Sequence, residues 1–274
     1  MYDFMFWNHK IPFYAHLLSS QYLFWHFNSI SEEQFLKHVD TGDVLLFRCE
    51  SPRQGLFGAW VTRALTKSHY DHVAVILRFG DYVKDLYILE AVGDRGVRIT
   101  SWANLRSELY ANGFFEKITT RKLMYEMTTQ KLTDLDLFRR NCVGHRYGLS
   151  ARKLLFNQAS QTDLLDEGKH TDISDDRQFF CSELIAKSFK VLNVLKNLEK
   201  GSNNYYPSSF DLGESIDQDL KDDVALGPPL NILVNAKIEL DKNSNLQEQR
   251  QSDNPMAYKP ADAYKKSYTK YMKN

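Results

Sequence analysis

Phe179-Phe180-Cys181-Ser182-Glu183-Leu184-Ile185-Ala186 opens a stretch in which Leu184, Ile185, Phe189, Leu192 and Leu195 recur at helical spacing. The spacing predicts a helix from Cys181 to Leu195 with the cysteine at its first turn. A free thiol titrates at about 8.5 and is mostly protonated at neutral pH. A helix start favours the thiolate, because unpaired N–H groups and the positive end of the macrodipole converge there. Far upstream, Ser68-His69-Tyr70-Asp71-His72-Val73-Ala74-Val75-Ile76-Leu77 sets two histidines at the mouth of an apolar strand. An imidazole beside such a cysteine takes its proton and later returns it to a leaving group. His72 is the candidate base, with His69 its neighbour and competitor. Glu90, at the end of the next predicted strand, is placed to accept a hydrogen bond from the other ring nitrogen and orient it. The backbone N–H of Cys181 is a candidate oxyanion donor, and Tyr147 a second polar contributor.

Outward from these motifs the chain alternates short apolar runs with turn signals. Ser31-Glu32-Glu33-Gln34 is a capping box that predicts a short helix to Val39. Thr41-Gly42-Asp43 is a turn, so Asp43 reads as turn chemistry. Strands are predicted over Val44–Phe47, Val73–Phe79, Leu86–Val92, Gly96–Thr100, Glu116–Leu123 and Leu230–Val234. Further helices are expected around Ser101–Tyr110, Thr133–Arg140 and Tyr147–Phe156, and a loop over Tyr205–Phe210. An α+β architecture follows, with an antiparallel sheet flanked by helices.

The 274 residues carry 35 basic and 35 acidic side chains, which gives no electrostatic case for a nucleic-acid partner. Cys49, Cys142 and Cys181 are odd in number and lack metal-type spacing, so neither a disulfide framework nor a metal site is expected. Free thiols suit a reducing compartment, and an intracellular, cytoplasmic location is expected. No cofactor is implied. Ile11 to Ile30 carries no charged side chain yet holds His16, Gln21, His26 and Asn28, too polar for a spanning helix. It reads as an aromatic-rich helix packed on the domain, with interfacial membrane contact the alternative. Residues 157–178 form an acidic, solvated loop. Beyond Asp241 apolar content collapses into an expected disordered tail, where Lys259, Lys265, Lys266, Lys270 and Lys273 interleave with tyrosines. That pattern offers a second route to peripheral membrane contact. The expected division is 1–39 for the N-terminal segment, 40–240 for the catalytic domain and 241–274 for the tail.

Taken in order, Thr41-Gly42-Asp43-Val44-Leu45-Leu46-Phe47, Tyr70-Asp71-His72-Val73-Ala74-Val75, Leu86-Tyr87-Ile88-Leu89-Glu90-Ala91, Gly96-Val97-Arg98, Arg146-Tyr147-Gly148, Phe180-Cys181-Ser182-Glu183-Leu184-Ile185 and Pro207-Ser208-Ser209-Phe210 form a ladder. The ladder resembles the circularly permuted branch of the NlpC-type papain-like superfamily, the YiiX-like group of cysteine hydrolases. That group also looks related to lecithin:retinol acyltransferase-like proteins. In papain-like enzymes the cysteine precedes the histidine; here it follows. The resemblance implies a permuted papain-like fold, with the nucleophile on Cys181, the base on His72 and the orienting acid on Glu90. It implies hydrolysis of an amide, ester or thioester through an acyl-enzyme, on a peptide or acyl-lipid substrate. Acyl transfer at a membrane surface and a non-catalytic peptide- or lipid-binding module are the alternatives on the same fold.

Overall fold

The structure, a computed structural model, describes residues 29–49, 69–80, 85–93, 95–112, 115–148, 173 and 178–234. The N-terminal aromatic segment up to residue 28, nearly all of the acidic stretch and the tail lie outside the described residues. In chain order the elements are β1 (Ser29–Ser31), α1 (Glu32–His38), β2 (Val44–Cys49), β3 (His72–Arg78), β4 (Leu86–Val92) and β5 (Gly96–Ser101). Then come α2 (Trp102–Asn112), β6 (Phe115–Arg121), β7 (Leu123–Met124), α3 (Thr129–Cys142), β8 (Arg146–Tyr147) and β9 (Gln178–Phe179). The order closes with α4 (Cys181–Val191), α5 (Ser215–Asp219), β10 (Ala225–Leu226) and β11 (Leu230–Leu233).

Val44, Leu45, Leu46 and Phe47 are all fully buried, as a strand with both faces covered requires. Their side chains alternate between two cores. Val44 and Leu46 join Val73, Val75 and Leu89 beneath α4, where Leu184, Ile185 and Phe189 pack. Leu45 and Phe47 join Ile76, Ile88, Trp102 and Leu105 on the α1 and α2 side. The sheet between these layers has seven strands in the order β1-β11-β6-β2-β3-β4-β5. Every pairing is antiparallel except the parallel β1–β11 edge. The fold is therefore α+β, a mostly antiparallel sheet flanked by helices.

Several local features differ from the reading of the sequence. Ser31 caps α1 as predicted, its hydroxyl accepting from Gln34 N–H at 3.2 Å. But Ser29–Ser31 also adds a strand to the sheet, and Phe35 and Val39 enter the core, so the packed unit begins before residue 40. Helix α4 stops at Val191, short of Leu195, because Asn193 adopts a left-handed φ of 56°. Asparagine tolerates that conformation and ends the helix, with Val194 N–H bonding back to Phe189. Leu192 and Leu195 stay buried in the turn that follows. Tyr147 lies in a two-residue strand paired in parallel with β9, not at the start of a helix. Gly148 continues out of the strand, its N–H donating to Phe179 O, and the remainder of that predicted helix, from residue 149, lies outside the described residues. The loop over Tyr205–Phe210 contains a short 3-10 turn, Pro207–Phe210.

Asp43 is a structural carboxylate. Its Oδ1 accepts from Leu123 N–H and its Oδ2 from Asp40 N–H, both at 2.8 Å. Burial raises its pKa to about 6, against the opposing pull of Lys122. Gly42 beside it has a φ of 96°, where a Cβ would lie 2.9 Å from Leu123. Among the described residues no helix is long and apolar enough to cross a membrane.

Candidate active site

Strand β3 begins at His72, opposite Phe47 of β2, whose ring lies 5.4 Å from the imidazole. Starting the strand puts His72 at the end of the sheet, where its ring reaches groups from both layers. Nε2–H donates to Glu90 Oε2 at 2.9 Å. The thiol of Cys181 acts on the same ring, and its interaction with the imidazole is among the causes that raise the His72 pKa. His69, its competitor in the sequence, is exposed. The structure thus brings Cys181, His72 and Glu90 together, with the His72–Glu90 hydrogen bond joining two of them.

Cys181 is the first residue of α4, so its N–H is one of those that a helix start leaves without an intrahelical acceptor. The residues beside it hold the helix start in place. Glu183 accepts from Phe180 N–H at 3.3 Å, which is the half of a capping box that remains when the cap is a phenylalanine with no acceptor. Ser182, fully buried, donates to Tyr205 O. Cys181 itself is 1% exposed, and the side chain of His72 12%. Cys142 is also buried, and burial pushes its thiol well above the usual range. The side chain of Cys49 lies outside the described residues.

The electrostatics favour a charged imidazole. Burial would lower the pKa of His72, but hydrogen bonds and charge from Cys181 and Glu90 outweigh it and hold it up to about 10. Glu90 is 2% exposed, and burial pushes its carboxyl upward. The bond and charge of His72 and then of Arg98 reverse that and leave it below the usual carboxylate range. Tyr147 lies with its ring 5.8 Å from that of Phe180. Burial, and secondarily its electrostatic interaction with Cys181, raise its phenol well above the usual value, so it stays a neutral O–H donor.

One participant was not singled out from the sequence. Arg98 lies directly opposite Glu90 in the β4–β5 hairpin. Its Nε donates to Glu90 Oε1 at 2.9 Å, and one of its terminal nitrogens is 2.8 Å from the same carboxylate. The signal was present: Val92 pairs with Gly96 around a three-residue turn, and Gly96 has the φ of +69° that such hairpins favour. Counting back from that turn sets Arg98 against Glu90.

No family model matches the sequence, and no curated protein matches it. Among solved structures, the chain is similar to the crystal structure of the metalloprotein YiiX from Escherichia coli O157:H7. The two share 20% identity with a TM-score of 0.34, over 55% of this chain and 64% of that one. The match thus spans less than two thirds of YiiX. Among the described residues of this chain, no group of three or more His, Cys, Asp or Glu side chains is placed to hold a metal ion.

Proposed function

We propose that this chain is a thiol hydrolase of permuted, NlpC-type papain-like architecture, acting on an amide, ester or thioester. The observation that carries the reading is the imidazole of His72, hydrogen-bonded to a buried carboxylate and held in its charged form by that carboxylate and by a cysteine at a helix start. Proton transfer from Sγ to Nδ1 makes a thiolate–imidazolium pair. The thiolate attacks the carbonyl carbon, and the carbonyl π electrons move to oxygen. That oxyanion is met by Cys181 N–H, with the Tyr147 hydroxyl as the second donor. As the tetrahedral centre collapses, His72 gives its proton to the leaving nitrogen, oxygen or sulfur, and an S-acyl cysteine remains. A water molecule, deprotonated by His72, attacks the acyl carbon. The thiolate departs, the carboxylic acid is released, and His72 is again the imidazolium. Glu90 fixes the tautomer throughout and balances the imidazolium charge. Peptide amides and acyl lipids both suit this chemistry. Acyl transfer shares its first half and differs only in the acceptor.

The test is exposure of the purified protein to p-nitrophenyl acetate, with product release and intact mass followed together. The expected result is a burst of nitrophenolate and an acetyl increment on Cys181, lost in Cys181→Ala. Removal of the base, His72→Ala, should slow the burst by about 10²- to 10⁴-fold. Absence of the adduct, together with ordinary thiol behaviour of Cys181 toward iodoacetamide across pH 5 to 9, would reject the reading.

A further inference from the structure

The carboxylate behind His72 is itself held from behind. Glu90 presents Oε2 to the imidazole and Oε1 to Arg98. Arg98 turns its other edge to Glu108 on α2, with contacts of 3.0 and 3.4 Å, and Glu108 also meets Arg95 at 3.1 Å. A row of alternating charge therefore runs from the thiol on one layer, through the end of the sheet, to a helix on the other. We propose that Arg98 is a positioning residue of this site, keeping Glu90 ionised and turned toward His72 through both halves of the reaction.

The need for such a residue follows from the proton traffic. When His72 has given up its proton, Glu90 is left as a buried carboxylate without a cationic neighbour on that side. A carboxylate so placed takes up a proton unless another charge sustains it. A protonated Glu90 no longer favours the imidazolium, and its own O–H can hold the ring in the wrong tautomer. Arg98 supplies the lasting positive charge, because a guanidinium does not deprotonate in this range. Its planar fork also fixes which carboxylate oxygen faces the histidine. Among the described residues, the charged and titratable groups facing this row are Cys181 on α4, Tyr147 on β8, His72 on β3, Glu90 on β4, Arg98 on β5, Glu108 on α2 and Arg95. Arg98 touches neither the thiol nor the imidazole in this arrangement, so it acts through Glu90.

This inference rests on the hydrolase reading, and the experiment separates the two. The rate of Cys181 carboxymethylation by iodoacetamide is measured by mass spectrometry from pH 4 to 9 for the wild type, Arg98→Gln and Arg98→Lys. The wild type should retain thiolate reactivity well below the ordinary thiol range. In Arg98→Gln the acid limb of the profile should move up by about one pH unit or more, as Glu90 becomes protonatable. Lysine, which restores the charge without the fork, should bring most of that shift back. A merely structural side chain would scale the rate without moving the limb. Arg98→Met carries the same expectation and stands in if the glutamine variant does not fold. A limb that superimposes on the wild type in the charge-free variant overturns the positioning role and leaves the hydrolase reading standing. An ordinary thiol profile in the wild type itself overturns the hydrolase reading, and this inference falls with it.

Discussion

Arg121 is a buried side chain held by hydrogen bonds at every nitrogen, and its replacement by methionine should cost about 3–5 kcal/mol of stability. Its side chain is fully buried on β6. Nε donates to Gly227 O at 2.7 Å, and one terminal nitrogen donates to Phe210 O and Asp211 O at 2.8 and 2.9 Å. The other meets both oxygens of Asp217 at 2.9 Å and Leu226 O at 3.1 Å. All the donors of the guanidinium are thus engaged, most of them by backbone. Methionine fills much of the same space, so packing loss is small and the effect isolates the polar one. Removing one partner of a buried charged group costs about 3–5 kcal/mol, because local relaxation and entering water satisfy part of what is left unpaired. Asp217 is 22% exposed and can turn to water, which removes it from the larger end of the range. The loss is a large part of the roughly 5–15 kcal/mol that holds a domain folded. Urea unfolding followed by circular dichroism should show a lower midpoint with an unchanged slope. A loss below about 1 kcal/mol would refute the reasoning, since it would mean that water satisfies those carbonyls as well as Arg121 does.

Replacing Glu90 by glutamine removes a charge-assisted bond and should lower the His72 pKa by about one to two units from its native value of about 10, read by NMR titration of the imidazole. In the wild type the raised value adds stability that is complete below the ordinary histidine pKa and lost as pH rises through about 10, so the variant should lose it at lower pH; an unmoved titration would contradict this. Asp43 also has a raised pKa, from 3.8 to about 6, so its contribution is complete at low pH and about 3 kcal/mol is lost as pH rises across that window. Chemical unfolding at pH 4 and pH 7 should show Asp43→Asn without that component; equal pH slopes in variant and wild type would rule it out. At Gly96 an added Cβ would lie 2.2 Å from His145 O at a φ of +69°, so Gly96→Ala should cost more than 1 kcal/mol in thermal unfolding, and a neutral result would show that the hairpin shifts freely.

What could be read from the sequence was what local pattern determines. The apolar run at Val44–Phe47 and the helical spacing after Cys181 announce buried faces, and those elements form where expected. Glu90 and His72 were paired on the strength of adjacent strand ends, and the structure sets them 2.9 Å apart. Arg98 escaped because its place opposite Glu90 depends on hairpin register, which a shift of one residue would reverse. Arg121 escaped for a different reason: its partners lie between Phe210 and Gly227, remote in the chain, and nothing in a strand ending Thr-Thr-Arg marks the arginine as interior. The early end of α4 turned on a single asparagine in a left-handed conformation, and Tyr147 on a strand pair too short to carry a period.

The chain order of the site has a consequence for how the protein comes into being. His72 and Cys181 stand more than a hundred residues apart, and the whole of β4, β5, β6 and α3 is made between them. Closing so long a loop costs entropy that is recovered only when the two layers pack on the sheet. While the chain is being synthesised, His72 has emerged long before the thiol exists, and the cysteine arrives with neither its partner nor its helix start in place. An unassembled Cys181 is an ordinary thiol. On the hydrolase reading proposed above, whatever reactivity His72 confers on Cys181 switches on only with completed packing, so the thiol doubles as a reporter of folding.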